Sequence, residues 1–318
     1  MTNRQLTLAC GDYDINRALV EGRVSMRGAS LTVLSMPSPE RHSRMAAHRE
    51  FDICELSMAT YLAMVGSGDR SLVAVPAFPH RRFRHGFLFV GPRSTLREPA
   101  DLNGGRIGLR TWQTTAGLWL RGILQDDHGV DLPSIEWVTQ DAEDVGGAVE
   151  GYHIRRVDAG RSVVDELLAG ELDALVYPEA PTASGVRRFW DDAKAEEIAY
   201  VEGTGIFPIM HAVVIRRELV DELPWLAREV LQAFRRSKDD AFAAMRDPRR
   251  VSLAWWREAL SEQEAILGPD PWAYEVERSR TALETIVRYA REQGLVRGSL
   301  SVDELFVPST LEDLPAYV

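Results

Sequence analysis

Apolar positions early in the chain come in short runs separated by amphipathic stretches, the rhythm of strands alternating with helices. Gln5–Cys10 and Ser30–Leu34 read as strands, and Ile15–Val20 between them has room for only a short helix. Ser38 to Glu50 reads as a helix, with Ser38 as N-cap and Pro39 in the favoured first position. Phe51–Ile53 reads as a short strand, and a helix over Ser57–Val65 ends at Gly66. Leu72–Phe78 and Gly86–Val90 supply two further strands.

The pattern restarts after Gly91-Pro92. The glycines of Leu102-Asn-Gly-Gly105 make a tight turn into the strand Arg106–Leu109. Thr114 or Thr115 then caps a helix to about His128, stopped by Gly129. Ile135–Val138 reads as a strand, Ser162–Ala169 as a helix ended by Gly170, and Ala174–Tyr177 as a strand. Thr95 to about Gly205 is therefore a second α/β unit. After it come the strand His211–Ile215 and a run of helices. Leu226, Val230, Phe234, Ser237, Ala241 and Met245 keep a 3.6 spacing behind Pro224, and Asp247-Pro248 breaks that helix. Two more helices are expected over about Val251–Leu267 and Trp272–Gln293.

Alternating βαβ units predict an α/β fold of two lobes. One lobe, inserted in the other, occupies 94–206; the outer lobe takes 1–93 and 207–318 with the C-terminal helices. The strand-like segments Phe87–Gly91 and Gly205–Ala212 are the natural crossings. The groove between such lobes is the default ligand site.

Composition narrows the function classes. The 318 residues are 45 % apolar and 27 % charged, an ordinary globular make-up. Lys and Arg total 37 against 48 Asp and Glu, a net charge of −11 that argues against nucleic acid or an anionic membrane as partner. Cys10 and Cys54 cannot form a disulfide framework and suit a reducing compartment. Leu6–Cys10 is too short for the apolar core of an export signal and Asp12 follows at once, so a cytoplasmic protein is expected.

Particular strings carry a resemblance. Asp101-Leu-Asn-Gly-Gly-Arg-Ile-Gly108 and Leu167-Leu-Ala-Gly-Glu-Leu-Asp-Ala174 are similar to two steps of type II periplasmic-binding-protein folds. Cys10-Gly-Asp-Tyr-Asp14, Phe51-Asp-Ile-Cys-Glu-Leu-Ser57 with Tyr61, and Pro79-His-Arg-Arg-Phe-Arg-His85 form a more specific set. So do Thr115-Ala-Gly-Leu-Trp-Leu-Arg-Gly-Ile-Leu124, Phe207-Pro-Ile-Met-His211 and Tyr289-Ala-Arg-Glu-Gln-Gly-Leu295 with Glu304-Leu-Phe306. Nearly end to end, the chain resembles the 4,5-dihydroxyphthalate decarboxylase family, whose members use the binding-protein fold as an enzyme. His80 departs from that family's string, which has a small Ser or Thr there; this bears on the substrate more than on the chemistry.

The resemblance implies a cofactor-independent carboxy-lyase acting on a small hydroxylated aromatic dicarboxylate. Such a reaction must hold the carboxylates, protonate the ring carbon that loses CO2, and steady charge on a ring hydroxyl. Arg81, Arg82 and Arg84 are candidates for the first task, since a guanidinium pairs both oxygens of a carboxylate. As a strand-like segment, this stretch would put Arg82 and Arg84 on one face and Phe83 and His85 on the other. His85 and His211 are the two candidate proton donors, with Glu55, immediately after a strand, beside them in the catalytic set. Asp12, Tyr13 and Ser57 lie at the crevice edge, Thr114 and Thr115 form an anion cradle at a helix start, and Trp112 is placed to stack on a ring. Arg121 reads as structural.

A divalent metal at Glu55, His80, His85 and His211 is the less favoured option, as no HExxH or paired CxxC spacing supports it. Neither a phosphate loop nor a GxSxG elbow is present. The expected partners are the aromatic carboxylate and, as an option, further copies of the chain in a homo-oligomer. The rival reading is the solute-binding protein of an ABC-type transporter for a small aromatic or carboxylate ligand. A third is one of the lyases or cyclases of cofactor biosynthesis built on the same scaffold.

Overall fold

The computed structural model describes residues 4–147 and 149–311. The first unit runs β1 (Arg4–Cys10), α1 (Asp14–Val20), β2 (Ala29–Ser35), α2 (Ser38–His48), β3 (Ile53–Ser57), α3 (Met58–Gly66) and β4 (Leu72–Val75). The second runs β5 (Leu88–Val90), β6 (Arg106–Leu109), α4 (Thr115–His128), β7 (Glu136–Thr139), β8 (His153–Arg156), α5 (Val163–Ala169), β9 (Ala174–Val176), β10 (Arg187–Arg188) and α6 (Ala193–Thr204). The chain then returns through β11 (His211–Arg216) to α7 (Arg217–Glu222), α8 (Leu226–Met245), α9 (Trp256–Leu267) and α10 (Val276–Glu292).

Among the described residues these strands make two mixed sheets, in the orders β2-β1-β3-β11-β4 and β10-β5-β9-β6-β7-β8. Each sheet has one long-range antiparallel insertion. β11 runs against β3 and β4, and β5 runs against β9 and β10. The reason is connectivity: β5 carries the chain into the second unit and β11 carries it back, so each enters its sheet from the opposite end. The result is a type II periplasmic-binding-protein-like fold of two α/β lobes. Strand β5 already belongs to the second sheet, ahead of the 93/94 boundary read from the sequence.

Several boundaries move for local reasons. β3 begins where the expected Phe51–Ile53 strand ends, so Glu55, expected just after a strand, lies within one, with its carboxylate paired inside the protein. β4 stops at Val75, since Pro76 has no N–H for a ladder. Pro37 takes the N-cap position of α2, one residue before Ser38. The segment from His80 to Arg84 is not a strand: apart from a single bridge between Arg81 and Ile209, it is irregular backbone leading into a 3-10 turn at His85–Phe87. The short β8 and β10 and the weakly amphipathic α6 lacked a periodic signature in the sequence.

The two lobes share a continuous apolar core. Trp119 of α4 donates its indole N–H to Ile209 O at 2.8 Å, and Trp112 donates to Gln293 O at 2.9 Å. Arg121, fully buried, spans Gln293 Oε1 at 2.6 Å and Trp112 O at 2.8 Å, and its guanidinium lies 3.7 Å from the Trp112 ring centre. Gly122 leaves the space that Tyr289 fills, since a Cβ there would meet the ring at 2.2 Å. The C-terminal helix α10 is thus fastened to the inserted lobe. No helix among the described residues is long and apolar enough to cross a membrane.

Candidate active site

In an open α/β sheet the carboxyl ends of the parallel strands face the ligand groove. β1 and β3 both end there, and β11 starts there because it runs the other way. Its first residue, His211, pairs with Ser57, the last residue of β3, and Val213 pairs with Glu55. Residues two apart on a strand share a face. His211 and Glu55 are therefore diagonal neighbours on one face, and His211 Nδ1 lies 2.5 Å from Glu55 Oε1.

Glu55 is fully buried and its carboxylate is surrounded by donors. Oε2 accepts the Gly11 N–H at 2.8 Å and the Asn16 side-chain amide at 3.4 Å. Arg41 Nη2 lies 2.8 Å from Oε1, while Arg41 Nε donates to the Glu55 backbone carbonyl at 2.9 Å. A fully buried ion pair is weak evidence of stabilisation, because desolvating two charges consumes most of the Coulomb gain. It is better evidence of a site whose proton affinities are set on purpose.

Around this pair stand three imidazoles. His42, on α2, meets the His211 ring edge-on with centroids 4.7 Å apart, and His80 does the same from the other segment, also at 4.7 Å. Tyr13 packs on His80 at 5.4 Å, and burial pushes its hydroxyl up to about 12. Burial holds His42 and His211 well below the usual imidazole range, with Arg41 adding to the effect on both. Burial beside His211 and Arg84 takes His80 down to about 2. Among the described residues no group of three or more His, Cys, Asp or Glu is arranged to hold a metal ion.

The arginines separate into different roles. Arg81 is buried and committed to the scaffold: it donates to Phe207 O at 3.1 Å, Ala273 O at 3.0 Å and Ser279 Oγ at 2.6 Å. Both terminal nitrogens are thus engaged by the scaffold. Arg84 is also buried, yet its recorded partners are the Met210 sulfur at 3.0 Å and the Phe87 ring at 4.9 Å. Burial and neighbouring Arg82 push it down to about 9, so it stays charged at neutral pH. Arg82 is exposed and lies 5.5 Å from the same ring. Among the described residues neither arginine has a carboxylate within ion-pair reach. Glu197, whose carboxyl is raised by burial, supplies only a more distant negative charge.

His85 lies elsewhere. Its ring packs on Trp190 at 5.5 Å and Tyr200 at 5.4 Å, and burial takes it down to about 4. No hydrogen bond or ring contact among the described residues joins it to Glu55 or His211. Trp112, expected to stack on a ligand, is 1 % exposed and packed on Trp137, Tyr152 and Arg121 inside the second lobe. The cradle hydroxyls are engaged as well. Thr114 Oγ1 caps Gly117 N, and Thr115 Oγ1 bridges Ser57 Oγ at 2.9 Å and Ala59 N at 3.0 Å, linking the starts of α3 and α4 across the lobes. Asp12 is exposed and paired with Arg17 at 2.9 Å.

Arg41, His42 and Asn16 were missed from the sequence. One signal was available: Arg41 and His42 fall on the stripe of α2 that also carries Met45 and Ala46, four residues on from each. Polar residues on a buried stripe require partners.

Four histidines buried in the neutral form have a consequence for acid stability. Each binds a proton in the unfolded chain below about pH 6.5 but not in the folded one, so stability falls as pH drops. His85 contributes this loss between about 6.5 and 4, and His80 continues it to about 2. Each group adds a slope of up to ~1.4 kcal/mol per pH unit. Urea midpoints are expected to be level from pH 8 to 7 and to fall steadily from 6.5 to 5. Level midpoints down to pH 5 would show that these imidazoles are already charged in the folded protein.

No protein-family model matches the chain. Two curated relatives do. The 4,5-dihydroxyphthalate decarboxylase of Comamonas testosteroni is 30 % identical over 326 aligned positions, covering 98 % of this chain and 99 % of that one. The enzyme of the same name from Pseudomonas putida is 32 % identical over 189 positions, covering 57 % of this chain and 73 % of its own. Among solved structures, the periplasmic aliphatic sulphonate binding protein of Escherichia coli superposes with a TM-score of 0.56 at 14 % identity, over 95 % of this chain and 97 % of that one. A protein of Archaeoglobus fulgidus gives 0.55 at 17 % identity, over 92 % and 98 %. These two establish the fold alone. The match in sequence to the Comamonas enzyme, which spans both chains almost completely, goes further: this chain belongs to the 4,5-dihydroxyphthalate decarboxylase family and is a carboxy-lyase.

Proposed function

We propose that the protein decarboxylates a hydroxylated aromatic dicarboxylate, 4,5-dihydroxyphthalate or a close relative, in the cytoplasm and without a prosthetic group. The observation that carries this reading is the pairing of a buried Glu55–His211 dyad with a buried guanidinium, Arg84, that has no anionic partner among the described residues. Arg84, assisted by Arg82, grips a carboxylate of the substrate. His211 is neutral in the empty site. The negative charge of the bound dicarboxylate raises its proton affinity, so it takes up a proton with the substrate and delivers it to the ring carbon bearing the other carboxyl. While charged, it is stabilised by Glu55 through Nδ1.

The electrons balance as follows. The hydroxyl para to the leaving carboxyl gives up its proton and pushes electron density into the ring. The ring carbon takes the proton from His211, giving a dearomatised intermediate. The carbon–carboxyl bond then breaks, CO2 leaves, and the electron pair restores the aromatic ring and the ring oxygen, which recovers its proton. One proton is consumed per turnover and returns to His211 from water.

The test is direct. Chelator-treated protein is incubated with 4,5-dihydroxyphthalate, and CO2 and 3,4-dihydroxybenzoate are followed. Stoichiometric release of both is expected. Activity lost to the chelator and restored by a divalent ion would replace the cofactor-free route, and binding without CO2 release would replace the enzyme by a solute receptor.

A further inference from the structure

His80 belongs to no ion pair and plays no part in the route above, yet it occupies the middle of the site. Its backbone carbonyl accepts the Met210 N–H at 2.9 Å and the His211 N–H at 3.3 Å, so the β11 register fixes its position beside His211. Tyr13 and His211 pack against the ring at 5.4 and 4.7 Å and hold its plane. Of the three clustered imidazoles it alone is part exposed, while His42 and His211 are each 7 % exposed.

Its two nitrogens are in different surroundings. Nδ1 is walled in and has no hydrogen-bond partner among the described residues. A neutral imidazole carries one proton, and a buried N–H without an acceptor is the rarer and costlier arrangement. The proton therefore sits on Nε2, at the ring's open edge. The charged and titratable groups facing the ring are Arg84, Arg82, His211, Tyr13 and Glu55. Burial first, and then the surrounding positive charge, disfavours a cation on this ring, so His80 stays neutral and acts as a donor, not as an acid.

We propose that His80 is a catalytic residue of this family member: its Nε2–H donates to the ring oxygen of the substrate para to the departing carboxyl. It thereby selects hydroxylated rings and stabilises the negative charge that returns to that oxygen as CO2 leaves. This rests on the decarboxylase reading given above. The same contact predicts that a bound phenol ionises more easily than a free one.

3-Hydroxybenzoate is the probe, because its single hydroxyl corresponds to the ring oxygen para to the departed carboxyl and its phenolate absorbance reports the ionisation of that oxygen. With the wild-type protein, the bound phenol is expected to ionise at lower pH than in solution, and 3-hydroxybenzoate to bind at least about tenfold more tightly than benzoate. His80→Phe keeps the packing and removes the donor; both the spectral shift and the preference should vanish, with kcat falling more than KM rises. His80→Gln retains a donor and should recover part of each, which covers the case in which the Phe variant does not fold. An unshifted phenol in the wild type, or a shift and preference that survive undiminished in folded His80→Phe, overturns the assignment. Absence of turnover by the wild type would instead fall on the decarboxylase reading, and the 3-hydroxybenzoate arm would still report on His80.

Discussion

His211→Asn is expected to lower kcat on 4,5-dihydroxyphthalate by about 10²–10⁴-fold, the usual contribution of a positioned proton donor, while the affinity for unreactive phthalate changes little. Removing the imidazole still leaves the Glu55 carboxylate with Arg41, Gly11 and Asn16, so the buried charge keeps its partners. Glu55→Gln is a harsher change, because it leaves Arg41 as an uncompensated buried cation at a cost of about 3–5 kcal/mol. Calorimetric binding of phthalate together with single-turnover rates separates the roles. A variant that binds weakly but turns over at the normal rate would make His211 a binding group. His85→Ala provides the contrast, since its ring is held by Trp190 and Tyr200 away from the dyad and should register chiefly in stability.

Arg84→Met is expected to raise KM by about tenfold to a hundredfold, the loss of a charge-assisted hydrogen bond to a carboxylate, while leaving the folded protein as stable as before or more so. Stability and function should move in opposite directions because the guanidinium is buried without an anion to balance it. Such an arrangement is unfavourable in the empty protein and is offset only when a ligand carboxylate arrives. Arg81→Met is the opposite case: its donors hold Phe207, Ala273 and Ser279, so unfolding midpoints should drop sharply. Urea midpoints and KM measured on both variants test the pair. An Arg84 variant that loses stability at unchanged KM would place this residue in the scaffold beside Arg81.

Periodicity made most of the architecture legible. The apolar runs of β1, β2, β6 and β11 and the 3.6 spacing of α8 announce themselves because each repeats its pattern over several residues. β8, β10 and α6 were silent for the opposite reason, being either two to four residues long or without a marked apolar stripe. The segment His80–Arg84 misled in a different way. Its alternation of Arg and Phe imitates a strand, but Arg81 turns inward to carbonyls, Arg82 faces solvent, and Arg84 and His85 are both buried facing different neighbours.

By itself the sequence determined the two-lobed α/β class, the inserted unit and the family, and it put forward Glu55, Arg84 and His211 as candidates, because local patterning and motif strings carry that information. Only the tertiary structure decided which cations are committed and which are unbalanced, that Trp112 is interior, and that Arg41, His42 and His80 close around the dyad. The physical reason is that β11 returns from the far lobe to pair antiparallel with β3, which sets His211 against a carboxylate 156 positions earlier in the chain. No window of neighbouring residues contains a contact made by that return.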